Sequence, residues 1–121
     1  MSCHSVLVVE DNQDMRDTLV EFLQNFGYPA IGAEHGQDAF DKLKGMAANP
    51  CIILLDLMMP VMDGRSFRQE QLKKPEVADI PVVVISAYDV VPHIQDLKAT
   101  AYLRKPLDLT ELMRVVNQHC G

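Results

Sequence analysis

Residues 52–64 read IILLDLMMPVMDG. Four apolar residues run without interruption into one carboxylate, Asp56, and the chain then continues through Leu-Met-Met-Pro instead of a polar turn. A strand with one solvated face alternates apolar and polar side chains. A run without alternation belongs to a strand buried on both faces, as in a parallel sheet covered by helices. VLVV (6–9) and PVVVIS (81–86) have the same character. An acid ending such a strand is costly unless something positive meets it there.

Segments of helical period fill the intervals between these runs. In DMRDTLVEFLQNFG (14–27), Met15, Leu19, Phe22, Leu23 and Phe26 fall on one face, Asn12 or Asp14 can cap the start, and Gly27 suits the stop. A weaker strand, YPAIGA (28–33), leads to a helix over 36–47 with Ala39, Phe40, Leu43 and Met46 as its stripe. CIILL (51–55) is followed by a helix over 65–74 that Pro75 closes, and HIQDLKA (93–99) reads as a short helix with Pro92 in its first turn. AYL (101–103) is the last strand. Asp108 caps a final helix over 109–120, with Leu109, Leu112 and Val116 inward. The pattern predicts a doubly wound α/β fold with a five-stranded parallel sheet, one domain spanning 1–121 without a linker.

Composition narrows the function. Hydrophobic residues make up 48% and charged residues 23%, and the formal net charge is −6, which argues against direct nucleic-acid binding. No apolar run reaches the ~18–20 residues of a bilayer span, so membrane insertion is not expected. The N-terminus lacks a signal peptide's basic region and cleavage site, which predicts a cytoplasmic protein. Cys3, Cys51 and Cys120 show no ligand or framework spacing and read as reduced, ordinary thiols. His4, His35, His93 and His119 are scattered and read as neither metal ligands nor bases.

Ligands of such sheets bind beyond the carboxyl ends of the strands, where strand order reverses. With the order 2-1-3-4-5, the first strand delivers Glu10 and Asp11 and the third delivers Asp56 to one corner. Three carboxylates there call for a hard divalent cation, Mg²⁺ (or Mn²⁺), which favours carboxylate oxygens and keeps waters for an incoming phosphate. Strand four ends at the hydroxyl of Ser86. The fifth is followed by Arg104-Lys105-Pro106, which supplies a fixed positive charge in Lys105.

VLVVEDN, LLDLMMPVMDG, VVVISA and AYLRKPLDLTEL, in that order, resemble the motifs of the response regulator receiver domain of two-component signalling, over essentially the whole chain. The resemblance implies a flavodoxin-like sheet in the order 2-1-3-4-5 and these roles. Asp56 is the phosphoacceptor; Glu10, Asp11, Asp56 and the backbone carbonyl of Met58 hold the metal. Lys105 contacts the phosphoryl group, Ser86 is the switch hydroxyl and Tyr102 the switch aromatic. It implies transfer of a phosphoryl group from a sensor histidine kinase or histidine phosphotransfer protein, then a conformational switch that controls a downstream protein. Pro60 and Gly64 shape the acceptor loop, the methionines cover it, and Met58 and Tyr88 influence phosphate lifetime. Asp63 reads as a structural turn and cap residue.

Two departures from the family pattern stand out. Only 19 residues lead from Ser86 to Lys105, short of the usual spacing by about one helical turn (~3.6 residues). A shortened fourth helix and an altered output surface are expected. The glycine that commonly precedes the final strand is Lys98 here, which suggests a different turn. Other functions fit less well: a flavodoxin-like electron carrier needs a phosphate cradle where EDNQD stands. An aspartyl phosphatase would carry its nucleophile on strand one, and a receiver-like interaction module would act without phosphorylation.

Overall fold

The computed structural model describes residues 5–57, 63–87 and 94–120. Five parallel strands, β1 (Val6–Val9), β2 (Ala30–Ala33), β3 (Ile52–Asp56), β4 (Val82–Ser86) and β5 (Ala101–Arg104), lie in the order β2-β1-β3-β4-β5. Four helices connect or follow them: α1 (Gln13–Asn25), α2 (Gly36–Gly45), α3 (Gly64–Leu72) and α4 (Leu109–Cys120). The fold and its strand order are those expected from the sequence.

Alternate residues of the same strand serve two cores. Leu7, Val9, Ile53, Leu55, Val82 and Val84 pack with Ala39, Phe40 and Leu43 of α2 and Phe67 of α3. Val6, Val8, Ile52, Leu54, Val83 and Ile85 pack with Leu19 and Leu23 of α1 and Leu112, Val115 and Val116 of α4. This two-sided burial is why the strand sequences do not alternate. Each fully buried side chain, such as Phe67, contributes about 1.5–3 kcal/mol. The stripes reach less far than their periodicity suggests: Phe26 at the end of α1 and Leu109 at the start of α4 are exposed.

Side chains start the helices. Asn12 accepts from the Met15 amide at 2.9 Å, His35 from Asp38 at 3.1 Å and Asp63 from Ser66 at 2.8 Å, each meeting one of the helix's otherwise unpartnered amides. Asp63 thus has the capping role expected of it. Gly27 follows α1 with φ +89°, where a side chain would be strained.

Between β4 and β5 the described residues hold a 3₁₀ turn, Ile94–Leu97; residues 88–93, including Pro92, lie outside the described residues. Arg68 of α3, itself buried, holds this turn. It donates to the carbonyls of Leu97 (2.7 Å) and Lys98 (2.9 Å) and to Gln71 Oε1 (2.8 Å). Gln71 in turn donates to the carbonyls of Val77 and Ile80. Lys98 has φ +50°, a left-handed conformation that suits glycine. The conformation presents two successive carbonyls to one guanidinium.

The cysteines correct the sequence reading. Cys51 and Cys120 form a disulfide, with Cα atoms 5.5 Å apart and a separation of 69 positions in sequence. Spacing gave no sign of the pair because proximity comes from packing: the residue entering β3 meets the last turn of α4. Among the described residues, no helix is long and apolar enough to cross a membrane.

Candidate functional site

Parallel register brings every strand's carboxyl end to one edge. Val9 lies beside Ala33 and Leu55, Asp56 beside Ile85, and Ser86 beside Arg104. Glu10, leaving β1, and Asp56, ending β3, are both buried, while Asp11 is exposed. One carboxylate oxygen from each of these three residues lies within 4.8 Å of the other two. This is a hard, anionic oxygen set, the donor chemistry that Mg²⁺ selects, and the buried members have few waters to screen them.

The charge balance comes from Lys105. Its ammonium lies 3.0 Å from Glu10 Oε1 and 3.5 Å from Asp56 Oδ2. Burial opposes ionisation of Glu10, but hydrogen bonding with Asp56, Lys105 and Asp11, and the charge of Lys105, outweigh it and hold the carboxyl below its ordinary value. Burial likewise works against the Lys105 charge. The Glu10 hydrogen bond and the Asp56 and Glu10 charges prevail and raise its pKa. Lys105 is anchored through its backbone, whose amide donates to the Ser86 carbonyl at 2.8 Å, and the Lys105–Pro106 peptide is cis. That bond ties the lysine segment to the strand carrying the buried Ser86 hydroxyl.

Arg16, beside the acids, was not read from the sequence. Arg16 donates to the Glu10 backbone carbonyl at 2.8 Å, and its stem crosses Gly32 so closely that a Cβ there would sit 2.9 Å from it. A cation in the first turn of a helix is placed against the macrodipole, and this is the one signal that could have marked Arg16. Gly64 is required for a different reason from the one expected. A Cβ on Gly64 would lie 2.5 Å from the Asp56 carbonyl oxygen and 2.7 Å from Leu57 Cα. Close approach of backbone to backbone, with Gly64 N–H donating to Leu57 O at 3.0 Å, brings the start of α3 against the acid.

Tyr102 on β5 is 44% exposed, and its strand neighbours Ala101 and Leu103 turn to the α4 side. Strand alternation therefore puts Tyr102 on the opposite face of the sheet, the side of α2 and α3. Met58, Pro60, Tyr88 and the other loop methionines lie outside the described residues. Glu10, Asp11, Asp56 and Lys105 come together, with Ser86 one strand away; Tyr102 stands apart on β5.

A doubly wound sheet with an acidic cluster and a lysine at its switch point defines a receiver-type regulator. The family model described as response regulator receiver domain matches residues 6–117, and the chain belongs to that family. It is 31% identical to the sporulation initiation phosphotransferase F of Bacillus subtilis (strain 168), over 98% of this chain and 95% of that protein. It is 34% identical to the probable transcriptional regulator ycf27 of Porphyridium aerugineum over 93% of this chain but only 46% of that protein. Beside such relatives the chain spans about half their length. Among solved structures, a response regulator receiver protein from Pseudomonas putida superposes with a TM-score of 0.89 at 26% identity, covering 98% of both chains. The protein is a receiver domain of a two-component response regulator.

Proposed function

We propose that Asp56 accepts a phosphoryl group from a phosphohistidine on a sensor histidine kinase or histidine phosphotransfer protein, and that residues 1–121 act as one cytoplasmic receiver domain. The observation that carries this reading is the meeting of Glu10, Asp11 and Asp56 within 4.8 Å, with the Lys105 ammonium 3.5 Å from Asp56. A carboxylate must attack an anionic phosphoryl group here, so catalysis is positioning and charge neutralisation. Glu10, Asp11 and Asp56, with the Met58 carbonyl, are the residues to hold Mg²⁺ or Mn²⁺. Bound there, the ion supplies positive charge to the phosphoryl oxygens.

The chain's own groups do the rest. The β3 register fixes Asp56 at the strand end, and burial limits water around the product acyl phosphate. Lys105 turns from its carboxylate partners to the new phosphoryl oxygens, which carry about −1.5 to −2 charges by analogy with other phosphoresidues. The Ser86 hydroxyl donates to the same oxygens, and Tyr102 takes up the space it leaves. Phosphorylation then biases a pre-existing pair of states on the surface a downstream protein reads. The protein catalyses only its own phosphorylation and dephosphorylation, and direct nucleic-acid binding forms no part of this role.

The test is intact mass after incubation with acetyl phosphate, with and without Mg²⁺, beside Asp56→Ala. A single phosphoryl increment that needs both the metal and Asp56 is expected. Absence of any increment, with a phosphohistidine protein donor failing as well, would replace this reading with that of an interaction module working unphosphorylated.

A further inference from the structure

The Cys51–Cys120 pair lies at the amino end of the sheet, opposite the acidic cluster: Cys51 directly precedes β3, and Asp56 ends it. The two sulfurs differ in access. Cys120 is 4% exposed within the core shared by α1 and α4. Cys51 is only partly buried and lines an open cleft of about 350 Å³ with Pro75, Ile80, Pro81 and His119 and the acids Glu76 and Asp79. Cys51 is therefore the half of the bond that borders open space, and Cys120 the half that is enclosed.

The surroundings suit both oxidation states. Cys51 Sγ lies 3.0 Å from the Ser5 carbonyl oxygen, an acceptor for the S–H of the reduced form. Opening the bond leaves Cys51 with a partner and returns Cys120 to an apolar environment that a neutral thiol tolerates. Neither state strands a polar group. A bond built only for permanence does not need this second arrangement.

We propose that Cys51 and Cys120 form a reversible thiol–disulfide site whose co-reactants are low-molecular-weight disulfides and thiols entering through this cleft. In the oxidising direction, the Cys51 thiolate attacks one sulfur of the small disulfide. This forms a mixed disulfide on Cys51 and expels one small thiolate, which is then protonated. Cys120, deprotonated, attacks Cys51 Sγ, forms the internal bond and expels the second small thiol. Two electrons and two protons leave the protein, and one small disulfide becomes two thiols. The reverse begins with a small thiolate attacking Cys51 Sγ and releasing Cys120 into the core. Accessible first, buried second is the order the geometry dictates.

The product ties the entry of β3 to the last turn of α4. It is a covalent input to the final helix, separate from the chemistry at Asp56, and it holds whether or not Asp56 is phosphorylated. The experiment uses the full chain carrying Cys3→Ser, equilibrated across a series of reduced-to-oxidised glutathione ratios. Exchange is stopped with acid, the free thiols are alkylated with a maleimide in denaturant, and the protein is weighed intact and mapped by peptide mass. Both thiols should be labelled at the reducing end and neither at the oxidising end, with the peptides of Cys51 and Cys120 joined and both thiols recovered in dithiothreitol without denaturant. Adding Cys120→Ser should trap glutathione on Cys51. The proposal is overturned if both thiols stay free across the series, if separate glutathione adducts accumulate in place of the internal bond, or if dithiothreitol opens the bond only after denaturation.

Discussion

Lys105 reaches across the ends of β4 and β3 to pair with Glu10 at 3.0 Å, closer than its 3.5 Å approach to Asp56. Strands β1 and β5 are not neighbours in the sheet, so this ion pair is a side-chain link between segments the backbone ladder leaves apart.

The pair sets a pH window for the metal-free protein. Glu10 is held below its ordinary 4.5, so its contribution to stability is present above that value and is lost as pH falls through the lower folded one. Lys105 is raised above 10.5, so its contribution is present below that value and is lost as pH rises through the higher folded one. Urea midpoints measured from acid to alkaline pH should plateau between these limits, and Glu10→Gln should flatten both shoulders. An unchanged profile in the variant would remove the pair from the account.

Binding of Mg²⁺ should raise the melting temperature, by the equivalent of about 2.7 kcal/mol at a hundredfold excess over Kd. Asp11 is the exposed member of the cluster, so its substitution disturbs packing least. Asp11→Asn should weaken the metal by about 10- to 100-fold, the range that even a ligand's supporting partners command, with little change in metal-free stability. Equal shifts in variant and parent would rule Asp11 out as a ligand.

Gly64→Ala places a methyl 2.5 Å from the Asp56 carbonyl oxygen, where backbone must move. A loss of about 1–3 kcal/mol is expected, together with slower phosphorylation because the displaced atoms belong to Asp56, the proposed acceptor. Wild-type rates with acetyl phosphate would show that the strand absorbs the shift without moving the carboxylate.

Arg68→Met keeps the stem's bulk but strips the donors from the Leu97 and Lys98 carbonyls. Buried acceptors left unpaired should cost about 2–4 kcal/mol in urea unfolding, and Arg68→Lys should recover only part because one ammonium cannot reproduce the fork. A cost under about 0.5 kcal/mol, the level of an ordinary surface change, would mean the 3₁₀ turn does not depend on this residue.

Lys98→Gly should act in the opposite sense. Relief of a left-handed conformation of about 1–2 kcal/mol exceeds the added chain entropy of about 0.5–1 kcal/mol, leaving a net gain of about 0.5–1 kcal/mol. Chemical denaturation of the two proteins side by side measures it, and a destabilised glycine variant would contradict the assignment of strain to this position.

The strands and the acids were readable because each depends on a local signal. Unbroken Val/Ile/Leu runs mark two-sided burial, and the residues that follow them land at one edge whatever the helices do. Arg68 and Gln71 were not readable in the same way. They share the buried stripe of α3 with Phe67, and nothing in a Phe-Arg-Gln-Glu-Gln stretch says that two polar side chains face inward, Arg68 to carbonyls 29 and 30 residues on and Gln71 to carbonyls 6 and 9 residues on. The disulfide has the same origin: its halves meet only once β3 and α4 are stacked. Gly64 was noticed as a loop glycine, but its close approach to Asp56 follows from where α3 begins against the strand end.

The Cys51–Cys120 bond also divides the molecule by connectivity. In the oxidised protein a closed covalent ring contains β3, β4 and β5, adjacent in the sheet, while β1 and β2 with their helices hang outside it as a linear arm. Proteolytic nicks within the ring leave the pieces joined, and nicks in the arm release them. Glu10 and Asp11 belong to the arm; Asp56, Ser86 and Lys105 belong to the ring. Any ligand that gathers these residues therefore adds a further tie between arm and ring to the β1–β3 ladder, and resistance of the arm to protease should rise with occupancy at the acidic cluster.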